Sequence, residues 1–451
     1  MSRLTFYSTN GQAARVDLKG ALLGGQAPDR GLYMPEAIPR LSGELWGELA
    51  RMSYAELALE ILWPFCRDVI DRNRLTALCA DAYNFDVPLE QVTDRVHVMR
   101  LDQGPTGSFK DFAARLMARL MGEFVQEEGR RLTILTATSG DTGSAVASAF
   151  HGVDNIQVLV LFPIGEVSER QRKQMTTLGG NIRTLALDGK FDDCQAMVKQ
   201  AFSDPDFAGL NLSSANSINI GRLLPQAVYY FYAHSRLAAS VDEPIVISTP
   251  SGNFGNMMGA VLGKRMGLPV ERLVVPVNAN DEFPRFLETG RYQKIEPSRN
   301  CVSNAMNVGH PSNLARLVDV YGGWLDERGR VHRAPEFAAM RRDLFSTAVD
   351  DERTRRTIQQ AWRDHQLLLE PHGAVGWRGF LDYVESKGRP EGAAVVLETA
   401  HPAKFPEEIE RLLGFSPEAP ESIARLEDLP EDYDRIEVGY EAFKDYLKRW
   451  Y

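Results

Sequence analysis

The residue best suited to covalent chemistry in this sequence is a lysine set where a glycine loop gives way to a helix. In GPTGSFKDF, Gly104 to Phe112, the residues Gly104, Pro105 and Gly107 specify a tight loop, and Phe112, Ala113, Leu116, Met117, Leu120, Met121 and Phe124 then recur at helical spacing. Lys110 falls at the junction. A helix start carries partial positive charge, and Phe109 and Phe112 flank the amine, so both effects favour the neutral, nucleophilic form that attacks an aldehyde to give an imine. The competing reading is a solvated lysine with Asp111 capping the helix. A nucleotide P-loop is excluded on detail, because it needs glycine before its lysine and Ser or Thr after, where this chain has Phe109 and Asp111.

Two further glycine loops could hold anions, since exposed N–H groups and a helix dipole converge where glycine permits close approach. SGDTG offers Ser139, Thr142 and backbone amides to a carboxylate or phosphate; SGNFGN offers Gly252, Asn253, Phe254, Gly255 and Asn256 to a phosphate. Turns of this kind also simply join strands to helices. Neither matches GxGxxG, which disfavours a nicotinamide enzyme. NSINIGR gathers Asn216, Ser217, Asn219 and Arg222, and a guanidinium fork suits phosphate; the plain alternative is a polar helix cap. Thr399 follows the apolar run AAVVLE at a strand's end, where parallel-sheet proteins place ligands. His401 beside Pro402 is given no role, and no metal-ligand spacing exists among the eight histidines.

The elements that must position these loops alternate. LTILTAT, IQVLVLFP, IRTLALDG, PIVISTP and LVVPVN read as strands, and helices follow SGDTG, the Ser168/Gln171 capping box and SGNFGN. Alternation of this kind predicts an α/β fold with a parallel sheet. A helix is expected after NSINIGR through Leu223, Ala227, Tyr230 and Phe231. Residues up to about Arg95 read as helical and separate, with Leu57, Ala58, Ile61, Leu62 and Phe65 as one stripe, and APDRGLYMPEAIP as an ordered loop. The tail after about Pro417 is acidic and reads as a surface element whose aromatics dock.

Whole-chain properties bound the function. With 451 residues, 44% hydrophobic and 25% charged, the chain is long enough for two or three ordinary globular domains. A formal net charge of -10 argues against nucleic-acid or anionic-membrane partners while permitting a local basic pocket. Four scattered cysteines without a CxxC pair suggest a reducing compartment and no zinc site. MSRLTFYSTNGQ lacks the apolar run of a secretory signal, so a cytoplasmic protein is expected.

GPTGSFKDF, TATSGDTGSAVASAF, SANSINIGRLLPQ, PSGNFGN, SNAMNVGHPSN, EPHGAVG and ETAHPAKF, in that order, resemble the threonine synthases, pyridoxal-phosphate enzymes of the tryptophan-synthase β-like fold. The likeness extends to APDRGLYMPEAIP and fades only in the tail. It implies a two-lobed fold type II enzyme with parallel-type twisted sheets flanked by helices and a mainly helical N-terminal domain over 1–97. The catalytic region would span 98–417, with a smaller mobile lobe at about 110–235 and a larger one mainly at 240–417, and an acidic segment would close the chain at 418–451. The resemblance also implies conversion of O-phospho-L-homoserine and water to L-threonine and phosphate by a monomer or homodimer. Lys110 would carry pyridoxal 5'-phosphate as an imine, with Gly252 to Asn256 on its phosphate and Thr399 on its ring nitrogen. Ser139, Gly140, Asp141 and Thr142 would face the amino-acid end of the substrate, and Asn216, Ser217, Asn219 and Arg222 its phosphate. The alternatives are a lyase of the same scaffold releasing 2-oxobutyrate and a non-catalytic binding protein. Members of this family usually read NFGD where this chain ends in Asn256; asparagine keeps an acceptor and removes repulsion, so Asn256→Asp is expected to alter cofactor affinity by no more than about tenfold, roughly 1.4 kcal/mol.

Overall fold

Continuous apolar runs bounded by glycine loops build two separate sheets in this computed structural model, which describes residues 3–451. The first two residues of the MSRLTFYSTNGQ segment therefore lie outside the described residues. The smaller sheet is parallel throughout. Its strands run in the order Asp434–Ile436, Ile182–Leu187, Ile156–Pro163, Leu132–Ala137 and Leu212–Ser214, with Ile134 opposite Val158 and Val158 opposite Ile182. Leu132–Ala137 is buried at every position, as a strand covered by helices on both faces must be.

The larger sheet has the order Leu344–Phe345, Val270–Val274, Ile245–Ser248, Ala394–Glu398, Val96–Arg100 and Leu89–Thr93. All its pairs are parallel except the last, a hairpin. Crossover helices bring the C-terminal ends of Ala394–Glu398 and Ile245–Ser248 and the helix Lys110–Glu128 to one cleft between the sheets.

Four sequence expectations change. The stretch before Arg95 does hold the helices Tyr54–Cys66 and Arg72–Ala82, but it also holds the strand Leu89–Thr93, and Phe6–Ser8 pairs with Tyr33–Pro35. Position 97 lies inside Val96–Arg100, a strand fixed by pairing with Ala394–Glu398. The strand read as LVVPVN is Val270–Val274; Pro276, which has no N–H to donate, interrupts the regular ladder, and pairing continues beyond it only as an isolated bridge between Val277 and Ala348. After NSINIGR the chain forms 3₁₀ turns at Ile220–Arg222 and Leu224–Ala227 and becomes α-helical only at Val228–Leu237, Pro225 interrupting the pattern. The acidic tail docks its aromatics as expected but does more: Asp434–Ile436 extends the smaller sheet, and the helix Tyr440–Trp450 buries Phe443, Tyr446 and Leu447 against Leu159, Leu185 and Met197. Among the described residues no helix is long and apolar enough to cross a membrane.

Candidate active site

Lys110 is the first residue of the helix Lys110–Glu128, and the loop before it is laced to the end of the strand Ala394–Glu398. Leu101 and Phe109 donate their N–H groups to the Glu398 and Thr399 carbonyls (3.0 and 2.9 Å), and His401 N–H returns to Gly107 O (2.9 Å). Asp111 does not cap the helix. Its carboxylate accepts from Thr106 N and Oγ1 (2.9 and 2.7 Å), so it clamps the loop, and a Cβ at Gly104 would sit 2.4 Å from that carboxylate. Lys110 Nζ stands 4.5 Å from the centroid of the Phe109 ring and 3.5 Å from Asp141 Oδ2, with its side chain 12% exposed. Burial pushes its pKa down, the Lys404 and Arg222 cations add to this, and Asp141 opposes. The net effect favours the free amine.

Asp141 was expected to face the substrate's amino-acid end. The structure surrounds it with cations instead: Lys404 Nζ at 2.7 Å and Lys110 Nζ at 3.5 Å, with Gln171 Nε2 donating at 2.9 Å. Burial alone would raise its pKa, but Lys404 and Lys110 hold it well below the usual carboxylate range. An ionised carboxylate repels another anion, so Asp141 works here as a counter-charge. Around it, Thr138 Oγ1 accepts from Gly140 N and Gly143 N (2.9 and 2.8 Å), shaping the turn that leaves Ser139 and Thr142 on the cavity wall. Gly140 adopts φ +128° and stays behind that wall, where a Cβ would meet the Gln171 amide at 2.4 Å.

SGNFGN wraps the start of the helix Gly255–Met266, with Phe254 at φ +65°. A Cβ on Gly252 would lie 2.9 Å from Ala305 O, so glycine is required for this close approach. Asn256 is 5% exposed. Its Oδ1 accepts from the hydroxyls of Tyr229 and Tyr230, while its Nδ2 is buried without a partner. An orphaned donor at a helix N-terminus fits a bound phosphate. It also alters the expectation for Asn256→Asp, since the amide nitrogen, not the acceptor, is the group left for a ligand.

Arg222, 3% exposed, donates Nη1 to Ala215 O (2.7 Å) and leaves Nε without a partner. Burial brings its pKa down to about 10. Asn216 and Ser217 line the same wall, although Asn216 Nδ2 is engaged by Ala137 O (2.8 Å). Asn219 is not brought to the cavity. It is fully buried, with Nδ2 on Leu22 O and Ser214 O and Oδ1 on Gly221 N (all 2.9 Å), so it shapes the loop that carries Arg222.

Lys110, Ser139, Asp141, Thr142, Asn216, Ser217 and Arg222 thus share one cavity of about 80 Å³ with Gly252 to Asn256 and Thr399. Sequence reasoning missed three of its supports. Lys404 is fully buried, bound to Thr106 O (2.9 Å) as well as Asp141. Arg316, also fully buried, donates to the carbonyls of Ser217 (3.1 Å) and Ile218 (2.7 Å). His372 lines the cavity and accepts from Ala305 N–H through Nε2 (3.1 Å), which places its proton on Nδ1, facing the Glu370 carboxylate. Lys404 and His372 were visible as members of ETAHPAKF and EPHGAVG; Arg316 gave no local signal.

A buried lysine amine facing two unsatisfied anion-binding groups across a two-sheet cleft defines a class, and residues 84–399 match the family described as pyridoxal-phosphate dependent enzyme. Flanking matches sharpen it: 5–83 to the threonine synthase N terminus and 373–447 to the threonine synthase C-terminal region. The threonine synthase of Haemophilus influenzae is 38% identical over 447 residues, 98% of this chain and 99% of the relative, and that of Escherichia coli is 38% identical over 95% of each. The crystal structure of Escherichia coli threonine synthase superposes with a TM-score of 0.89 at 36% identity, and a PLP-bound threonine synthase from Brucella melitensis with 0.90 at 35%, each covering 99% of both chains. The chain belongs to the threonine synthase family.

Proposed function

We propose that the protein converts O-phospho-L-homoserine and water to L-threonine and inorganic phosphate. The observation that carries this reading is the pairing of a desolvated Lys110 amine with two separate anion cradles, the Gly252–Asn256 turn and Arg222, on one cavity wall. One cradle suits the cofactor phosphate and the other the substrate phosphate.

Pyridoxal phosphate, when bound, supplies the electron sink that makes the substrate's Cα–H and Cβ–H acidic. The chain supplies the rest. Lys110 would hold the cofactor and, released by the incoming substrate amine, move the α-proton and then a β-proton. The Asn256 amide and the Gly255–Met266 helix start would hold the cofactor phosphate, and the Thr399 hydroxyl its ring nitrogen; a hydroxyl leaves that nitrogen unprotonated where a carboxylate would not. Arg222, with Asn216 and Ser217, would bind the substrate phosphate and stabilise its departure from Cγ. Ser139, Thr142 and the Asp141 backbone would orient the substrate carboxylate. Reprotonation at Cγ and addition of water at Cβ complete the stoichiometry, one phosphate leaving for each water added. Two lobes closing on the cleft would keep other water out until that step.

Incubation of the holoprotein with O-phospho-L-homoserine, followed by identification of the organic product, tests the reading. L-Threonine and phosphate in equal amounts are expected. 2-Oxobutyrate as the main product would overturn it in favour of the lyase.

A further inference from the structure

A second, larger cavity of about 460 Å³ lies beside the catalytic one, and the two share Ala137, Asn216, Ser217 and Asn253 as wall residues. Three parts of the chain enclose it: the N-terminal loop around Arg30, the helix Phe191–Ser203 of the smaller sheet, and the segment from His310 to Glu327. Its charged groups are unequally committed. Asp326 accepts from Arg328 N, Arg330 N and His332 Nε2 (3.0, 2.8 and 2.9 Å), and Glu327 accepts from Asn10 Nδ2 (3.3 Å) and pairs with Arg328 (3.7 Å). Arg30 and Lys199, by contrast, make no side-chain hydrogen bond or ion pair among the described residues, and both are solvent-exposed.

The loop that presents Arg30 is built to stay in place. The Asp29 carboxylate accepts from Ser8 Oγ, Gln12 N, Ala13 N and Gly31 N (2.6 to 3.0 Å), and Gln26 Nε2 donates to Arg30 O (2.8 Å). Arg30 itself sits at φ +66°, a conformation that costs an arginine energy and persists only where the surroundings impose it. The protein packed beside the surface-exposed Lys199 partly desolvates its amine and, with the Lys294 charge, lowers its pKa, while Asp192 and Glu296 oppose. A chain of net charge -10 repels an anion approaching at random, so unpaired cations lining a cavity that shares walls with the catalytic one would concentrate one locally.

We propose that this cavity is the approach chamber for a phosphate-bearing amino acid, and that Arg30 and Lys199 capture its anionic end before Arg222 receives it. The inference rests on the function proposed above. It assigns substrate capture to an N-terminal residue and a residue of the smaller lobe that the chemistry itself does not require.

Steady-state kinetics of the holoprotein with O-phospho-L-homoserine test it. Arg30→Ala and Lys199→Ala should each lower kcat/KM about threefold at low ionic strength, and the double variant about tenfold, with kcat and cofactor absorbance unchanged. The deficit should disappear at about 0.5 M salt, where charges more than a few ångströms apart are screened. Lys387→Ala, an equal charge change at the end of the helix Pro371–Lys387 and outside the cavity, should have no effect. Wild-type protein that fails to turn over the substrate overturns the function reading and this inference with it. Wild-type turnover with an unaltered kcat/KM in the double variant at low salt, or a deficit that persists at high salt, overturns this inference alone.

Discussion

Replacing Lys404 by methionine would remove one charge from a buried group of three and leave the other two facing each other. In the native protein Asp141 lies between Lys404 at 2.7 Å and Lys110 at 3.5 Å, and the Asp141 and Lys404 side chains are 2% and 0% exposed. Two opposite charges 3.5 Å apart attract by about 5 kcal/mol at an effective dielectric constant of about 20. Lys404 offsets that field, and its own charge also disfavours a charged Lys110. Without it, Asp141 acts on Lys110 unopposed, and the protonated amine gains. A gain of only ~1.4 kcal/mol lowers the fraction of neutral amine tenfold. Reconstitution of apo-protein with pyridoxal phosphate at pH 7.5, followed by imine absorbance, should therefore be at least tenfold slower in Lys404→Met. Stability should fall by about 3–5 kcal/mol because a buried carboxylate loses its nearest partner. The double variant Lys404→Met/Asp141→Asn removes both the attraction and the repulsion, so its reconstitution rate should return to within about threefold of the native one. Native-like reconstitution in the single variant, or no recovery in the double, would refute the assignment of Asp141 and Lys404 as the pair that sets the charge of Lys110.

Three other substitutions separate the remaining roles. Arg222→Lys keeps the charge and loses the fork, so KM for the substrate should rise tenfold or more with the cofactor spectrum intact; loss of cofactor at unchanged KM would mean the two phosphate cradles are exchanged. Asn256→Asp keeps the acceptor for Tyr229 and Tyr230 but removes the orphaned donor, so cofactor affinity should drop by about 1.5–3 kcal/mol, more than the tenfold limit expected from sequence; an affinity within tenfold of native by titration of the apo-protein would restore the earlier expectation. His401 is held down to about 4 from 6.5, first by burial and then by the Arg100, Lys404 and Arg170 charges. Its folded form resists protonation, so its contribution is fully present above pH 6.5 and is lost as pH falls toward 4, by up to about 3 kcal/mol. His401→Asn retains an acceptor for Ala403 N–H and should flatten urea-denaturation stability across that window; an unchanged slope would show that another group titrates there.

Three strands of the smaller sheet, Leu132–Ala137, Ile156–Pro163 and Ile182–Leu187, could be read from sequence because each is a short apolar run closed by glycine or a capping box, as in Ile156–Pro163 followed by Ser168 and Gln171. Leu89–Thr93 could not. It is an edge strand with no buried position, its residues LEQVT carry no alternation, and only pairing with Val96–Arg100 makes it a strand. The C-terminal segment is an intermediate case. Phe443, Tyr446 and Leu447 stand at i, i+3 and i+4, which is a helical signal, but the acids around them draw the eye to the solvent side. That Asp434–Ile436 extends the sheet beside Ile182–Leu187 depends on a long-range pairing that neither segment announces.

The site divides along the same line. Lys110, the two glycine loops and Thr399 were legible because a loop, a strand end and a helix start are local features, each specified by a few adjacent residues. What those residues do to one another was not. Asp141 sits in the middle of a loop whose type suggests anion binding, and the family resemblance implies that this loop faces the substrate's amino-acid end; what no adjacent residue shows is that Lys404 arrives from beyond the end of the strand Ala394–Glu398 and pairs with the Asp141 carboxylate. Asn219 fails in the opposite direction, its donors drawn off by Leu22 and Ser214 carbonyls. A side chain's chemistry is set by which of its lone pairs and protons remain free after folding, and that remainder is a property of tertiary packing. Asn256 and Arg222 hold such remainders here, one Nδ2 and one Nε with no partner in the cavity wall, and the phosphate-binding roles proposed for both rest on these free donors more than on the motifs that contain them.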